Sequence, residues 1–133
     1  MTVFESKISI NRPVEDVFAF LKDFNNHQQL MPDSISGWVS TTNDASFAIK
    51  NMSTLSLKIS NRIPNSTVII IPASEVPFNI EMRWVVTSLG EDTTEAILTV
   101  SAELNMMMKV MASGPLKKIT DFQVTELKKV LSK

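Results

Sequence analysis

The sequence predicts an α+β fold in which a curved antiparallel sheet of six to seven strands wraps around one long C-terminal helix. Strand-like patterns fill the chain from about residue 35 to 105, and one amphipathic helix is predicted over 116–131. Six or seven strands at ~4.8 Å spacing span roughly 30 Å, whereas a helix with its side chains is only ~10 to 12 Å across. Because one helix cannot cover such a sheet, we expect the sheet to curl and to leave an apolar hollow.

The N-terminal region predicts one strand followed by two short helices. Residues 3–10 alternate between polar and apolar side chains, which is the pattern of a strand with one buried face. Pro13 is well placed in a first helical turn, where its missing N–H costs nothing, and apolar residues follow it at helical spacing. A second helical turn is predicted to end before Pro32, because a residue that precedes proline is disfavoured in the helical conformation.

Six further strands are predicted between short clusters of turn-forming residues. They cover residues 35–41, 45–51, 54–62, 67–71, 78–89 and 93–104. On the long strand 78–89, Ile80, Met82 and Trp84 share the face predicted to lie inside. Glu81 and Arg83 alternate with them and are predicted to lie outside.

Length, charge and composition exclude several classes of protein. The chain has 133 residues, no cysteine and a net charge of -1. One domain covering residues 1–133 is expected, and neither disulfides nor thiolate chemistry are possible. The balanced charge gives little drive for binding nucleic acid, so no nucleic-acid partner is expected. No segment is apolar enough for a transmembrane helix, and the N-terminus lacks the features of a signal peptide, so we expect a cytoplasmic protein.

Residues suited to catalysis are scarce. His27 is the single histidine, and its polar neighbours predict an exposed side chain without a second imidazole for a metal site. Tyrosine is absent, and three glycines are too few for a phosphate-binding loop. We therefore expect no catalytic residue, no metal and no cofactor.

The order of elements, together with residues 9–18 (SINRPVEDVF), resembles the helix-grip proteins of the START-like (SRPBCC, Bet v 1-like) superfamily. Those residues form an apolar strand end followed by a proline-initiated helix, and the resemblance covers the whole chain. Residues 21–37 are somewhat similar to the polyketide cyclase/dehydratase-type branch and to the branch associated with carbon monoxide dehydrogenase. The resemblance implies a cavity between the sheet and the C-terminal helix that binds a hydrophobic molecule, without implying which one.

The expected ligand-binding residues are apolar side chains on the inner face of the sheet and along the last helix. They are Leu55, Leu57, Ile80, Met82, Trp84, Val100, Ala102, Leu104, Met107, Met111, Leu116 and Ile119. Methionine suits both core packing and an adaptable ligand surface, and a buried tryptophan such as Trp84 is more often part of the core than of a site. Gly114-Pro115 is expected to kink or interrupt the helix, either as an ordinary loop or as a hinge that gates the cavity.

Three functional classes remain open. The favoured one is a carrier or sensor of a hydrophobic small molecule, whether lipid-like, polyketide or aromatic. A cyclase/dehydratase-type enzyme is the alternative, and it would need polar groups in the cavity, for which Asn51, Asn61 and Asn105 are the candidates. A partner-docking module, similar to the branch associated with carbon monoxide dehydrogenase, is the third class, and it would need an exposed apolar patch.

Overall fold

The computed structural model describes residues 2–50, 54–75 and 79–132. The described elements confirm the predicted order of one strand, two short helices, six strands and a long helix. They are β1 (Thr2–Ile10), α1 (Val14–Leu21), a 3₁₀ helix (Phe24–Leu30), β2 (Ile35–Ser40), β3 (Asp44–Ile49), β4 (Thr54–Ile63), β5 (Thr67–Pro72), β6 (Ile80–Gly90), β7 (Thr93–Ala102) and α2 (Met106–Leu131).

All seven described strands form one curled antiparallel sheet in the order β1-β7-β6-β5-β4-β3-β2. Three strand pairs contain a register shift, between β2 and β3, β4 and β5, and β6 and β7. Such irregularities bend a strand and increase its twist, which helps the sheet to curl. Gly37 lies within the first of them with φ of 64°, a conformation that glycine adopts without steric cost.

The inner and outer faces of the sheet follow the predicted alternation. Ile80, Met82 and Trp84 on β6 are buried. Glu81 and Arg83 between them lie on the outer face and form an ion pair at 3.6 Å. The inward register of this strand is therefore confirmed from Ile80 onward, while residue 78, predicted to begin the strand, lies outside the described residues.

The C-terminal helix starts at Met106 rather than near residue 116, so the predicted interruption at Gly114-Pro115 is wrong. Asn105 caps the helix, because its side-chain oxygen accepts a hydrogen bond from the Met108 N–H at 2.8 Å. Pro115 has no N–H for a helical hydrogen bond, a defect that costs ~3 kcal/mol in a helix interior. Burial of apolar side chains on both sides of Pro115, together with the cap, offsets this cost.

Candidate ligand site

A small cavity lies between the inner face of the sheet and α2. Its walls come from β2, β3, β4, β6, β7, the 3₁₀ helix with the residue after it, and α2. Seven of the twelve predicted ligand-binding residues line it: Leu55, Leu57, Ile80, Met82, Val100, Leu116 and Ile119. Their contact with a ligand remains a prediction.

The cavity has a volume of about 30 Å³, so the large hollow expected from the widths of sheet and helix is mostly filled. Such a space holds about two water-sized atoms, whereas sites for drug-sized ligands measure roughly 300 to 1,000 Å³. The expected hollow assumed that a single helix fills the sheet. The 3₁₀ helix also inserts Phe24, His27 and Leu30 into the interior. Trp38 stacks on Phe47 at 5.2 Å between ring centroids and fills further space.

Five of the predicted ligand-binding residues lie away from the cavity wall. Trp84 and Ala102 are completely buried in the core, and Leu104 is partly buried against it. Met107 and Met111 are 73% and 66% exposed, which corrects their expected place inside. They precede Leu116 by nine and five residues, or about 2.5 and 1.4 helical turns, and therefore point away from the side that Leu116 buries.

Two polar side chains of α2, Thr120 and Gln123, line the cavity and were not among the predicted site residues. Gln123 is 0% exposed, and neither its amide nitrogen nor its amide oxygen has a hydrogen-bond partner among the described residues. The Thr120 hydroxyl donates to the Leu116 carbonyl at 2.7 Å, so its oxygen can still accept a hydrogen bond. A buried polar group without a partner costs roughly 1 to 3 kcal/mol, which makes Gln123 the most unusual side chain in the cavity.

The cavity residues that sequence reasoning missed are Phe24, Met31, Ile35, Phe47, Ile49, Thr120 and Gln123. Gln123 carries a signal that could have identified it. It lies four residues after Ile119 and four before Leu127, which places a polar side chain on the buried stripe of the helix.

An outer groove of about 810 Å³ runs along the surface between α2, the segment that follows the 3₁₀ helix, and the end of β3. Ile49 and Ile119 line both this groove and the inner cavity, so these two side chains stand between the two spaces. The groove also contacts Gly114 and Pro115, and lysine side chains lie along it. A molecule that lay in the groove would therefore meet the cavity at the two isoleucines.

No protein-family model matches the chain, and no curated protein matches it. Among solved structures, the chain is similar to a START superfamily protein from Mycobacterium smegmatis, with 15% identity, a TM-score of 0.72 and coverage of 98% of this chain and 97% of that one. The chain has the helix-grip START fold. The chain is also similar to the KanY protein, with a TM-score of 0.79, 16% identity and coverage of 99% of this chain and 98% of KanY. The similarity to XoxI from Bacillus cereus has a TM-score of 0.78 at 13% identity and covers 99% of this chain and 96% of XoxI.

In this START fold, the 3₁₀ helix buries His27 completely, so the predicted surface position of this histidine is wrong. Its Nε2 lies 2.8 Å from the Leu21 carbonyl oxygen. Because a carbonyl can only accept, Nε2 carries the proton and Nδ1 is an unprotonated acceptor without a partner among the described residues. Burial lowers the pKa of His27 to about 4, against smaller opposing contributions from Leu21 and Asp23.

The first two turns of α2 carry an exposed apolar patch, formed by Met106, Met107, Val110 and Met111. All four side chains are well exposed, although they belong to the same helix that buries Leu116 and Ile119. This patch is the feature that the partner-docking alternative requires.

Two of the three asparagines considered as polar groups for catalysis lie away from the cavity lining. Asn61 is exposed, Asn105 caps α2, and Asn51 lies outside the described residues. Across residues 2–50, 54–75 and 79–132 there is no group of three or more His, Cys, Asp or Glu side chains that could hold a metal ion. Within the same ranges, no helix combines the length and the apolar character that a bilayer crossing requires.

Proposed function

We propose that this protein binds a hydrophobic small molecule between its sheet and α2, and that it acts as a carrier or sensor rather than as an enzyme. The observation that carries this proposal is an apolar cavity that adjoins an open groove. Twelve of the fourteen side chains that line the cavity are apolar. The cavity and the groove meet at Ile49 and Ile119, which gives a hydrophobic ligand a route to the interior.

The two volumes define how such a ligand would lie. The inner cavity of about 30 Å³ accepts only the end of a molecule, whereas the outer groove of about 810 Å³ accommodates its remaining length. Rotation of the Ile49 and Ile119 side chains would join the two spaces. Each methylene group then removed from water contributes ~0.8 kcal/mol to binding, so a chain of several carbons would bind without any charged contact.

The polar groups of the cavity favour binding over catalysis. A general acid or base must lie within hydrogen-bond reach of the reacting atoms. The described lining contains an amide and a hydroxyl but no ionisable side chain, and His27 is outside it. A cyclase/dehydratase-type reaction would therefore lack an ionisable acid or base in the described lining. The cytoplasmic location and the absence of a nucleic-acid partner remain parts of this proposal.

Mass spectrometry of the protein under native conditions after mild extraction tests the proposal. We expect a co-purifying hydrophobic molecule, or complexes with added medium-chain compounds and aromatics. A protein that stays free of ligand under both conditions would contradict the proposed function.

A fluorescence titration gives a second measurement with a matched control. The chain has two tryptophans, and Trp84→Phe leaves Trp38 as the sole reporter. Trp38 contacts Phe24 and Phe47, which both line the cavity, so its emission should respond to a ligand. In this background Ile119→Phe should weaken the response by adding bulk between cavity and groove. Val110→Phe on the exposed side of the same helix should leave it unchanged.

A further inference from the structure

We infer that the ligand carries a neutral, planar head group that pairs a hydrogen-bond donor with an acceptor, such as a primary amide, and that Gln123 binds it inside the cavity. This inference rests on the proposed function and adds the chemical class of the ligand. It follows from the polar atoms of the cavity rather than from its apolar lining.

Gln123 has hydrogen-bonding capacity that the protein leaves unused. This side chain is completely buried and lines the cavity, and both ends of its amide are without a partner among the described residues. A carboxamide offers two N–H donors and one carbonyl acceptor. A ligand group that supplies only an acceptor, or only a donor, would leave one end of this amide unpaired.

Thr120 adds a second acceptor beside this amide. It precedes Gln123 by three residues, so both side chains lie on the same side of α2 and both line the cavity. The Thr120 hydrogen is already donated to the Leu116 carbonyl at 2.7 Å, and its oxygen can therefore only accept. Thr120 Oγ1 and Gln123 Oε1 thus provide two acceptors for ligand N–H groups, while Gln123 Nε2 provides a donor for a ligand carbonyl.

The lack of charged side chains in the described cavity lining argues against an ionised head group in this position. The described cavity lining contains no lysine, arginine or histidine, whereas charged side chains of both signs, three lysines with Asp121 and Glu126, lie along the outer groove. An ionised carboxylate or phosphate in the cavity would lose its hydration without gaining a cation, which is strongly unfavourable. The volume restricts the head group to a small one, because about 30 Å³ holds about two water-sized atoms.

Three ligands of matched size separate these possibilities: decanamide, 2-undecanone and decanoate. They share the same alkyl chain, and the ketone replaces the amide NH₂ with a methyl group of similar size. Binding is measured at pH 7.5 by Trp38 fluorescence in the Trp84→Phe background and by native mass spectrometry. Decanamide should bind about tenfold more tightly than 2-undecanone, which corresponds to one or two additional hydrogen bonds, and decanoate should bind more weakly than decanamide.

The variant Gln123→Leu should remove the preference for the amide over the ketone, and Gln123→Met provides a second apolar replacement. Gln28→Leu makes the same change at an exposed position and should keep the preference. Without ligand, Gln123→Leu should also raise the melting temperature, because it replaces an unpartnered buried amide with an apolar side chain.

The outcomes distinguish the two proposals. Equal affinities for amide and ketone in the unsubstituted protein overturn the inference and leave the proposed function intact. The inference is also overturned if Gln123→Leu keeps the amide preference, because Gln123 would then not bind the head group; a lowered melting temperature in addition would show that its role is structural. Failure of all three compounds to bind overturns both.

Discussion

Acidification should destabilise this protein through His27, and the size of the effect follows from its burial. The pKa of His27 is lowered from 6.5 to about 4 in the folded state, because burial disfavours the charged imidazolium. The unfolded chain protonates near pH 6.5, so between these values it binds a proton that the folded protein does not. The contribution of neutral His27 to stability is therefore complete above about pH 6.5 and is lost as the pH falls towards 4.

The magnitude comes from about 1.36 kcal/mol for each pKa unit of difference. At pH 5 the loss is about 2 kcal/mol, and it reaches about 3 kcal/mol near pH 4. Typical domains have a total unfolding free energy of about 5 to 15 kcal/mol, so this one side chain would remove a substantial part of it.

The assay is urea denaturation at pH 7.5, 6.5, 5.5 and 5.0 for the unsubstituted protein and for His27→Gln. Glutamine does not titrate and retains an N–H donor for the Leu21 carbonyl. Both proteins contain the same carboxylates, so the difference between their plots of unfolding free energy against pH gives the contribution of His27. The unsubstituted protein should lose about 2 kcal/mol more than the variant between pH 7.5 and 5. Parallel curves, or an NMR titration of His27 with a midpoint near 6.5, would show that burial does not keep this imidazole neutral.

Three further predictions concern stability, and urea denaturation tests each of them. Asn105→Ala removes the cap on the Met108 N–H and should cost about 1 kcal/mol, whereas an unchanged midpoint would contradict the cap. Gly114→Ala should stabilise α2 by about 0.5 to 1 kcal/mol, because the added Cβ meets no atom within 4 Å, and a loss would argue against a continuous helix there. Trp84→Phe should lower the free energy of unfolding by roughly 1 to 2 kcal/mol. Because Trp84 lies in the core and not in the cavity lining, the same variant should bind ligand with unchanged affinity, and an altered affinity would contradict this placement.

The strands were predictable because their signal is local. Successive side chains of a strand point to opposite faces, so the positions of the apolar residues show which face is buried. On β6 this alternation places Ile80, Met82 and Trp84 inside and Glu81 and Arg83 outside. The inward positions of the sheet and seven of the residues around the cavity follow from that pattern and from the spacing along α2.

Two features, the start of α2 and the burial of His27, could not be predicted from the 3.6-residue period of apolar side chains along an α-helix. At Pro115, packing outweighs the local preference for a break. In the 3₁₀ helix the buried residues Phe24, His27 and Leu30 recur at three-residue spacing, as expected for three residues per turn. The polar neighbours of His27 predicted exposure, but they occupy the other two sides of this helix.

The cavity itself was only partly predictable, because its size is set by contacts between distant segments. Phe24 of the 3₁₀ helix and Trp38 of β2 approach each other to 5.8 Å between ring centroids, and Trp38 stacks on Phe47 of the next strand. No local pattern specifies these aromatic contacts, which help to fill the space between sheet and helix. Gln123 was missed because a polar side chain ordinarily indicates exposure. Its spacing of four residues from the buried Ile119 and Leu127 nevertheless places it on the buried side of α2.

Entry of a hydrophobic molecule between the sheet and α2 requires contact with the two isoleucines shared by cavity and groove. Methyl NMR during a titration with decanamide tests this contact, with intermolecular NOEs to assign it. We expect large shifts and ligand NOEs at Ile49 and Ile119, with little change at Met107 and Met111. Changes confined to those exposed methionines, or no NOE to either isoleucine, would mean that the ligand does not enter there.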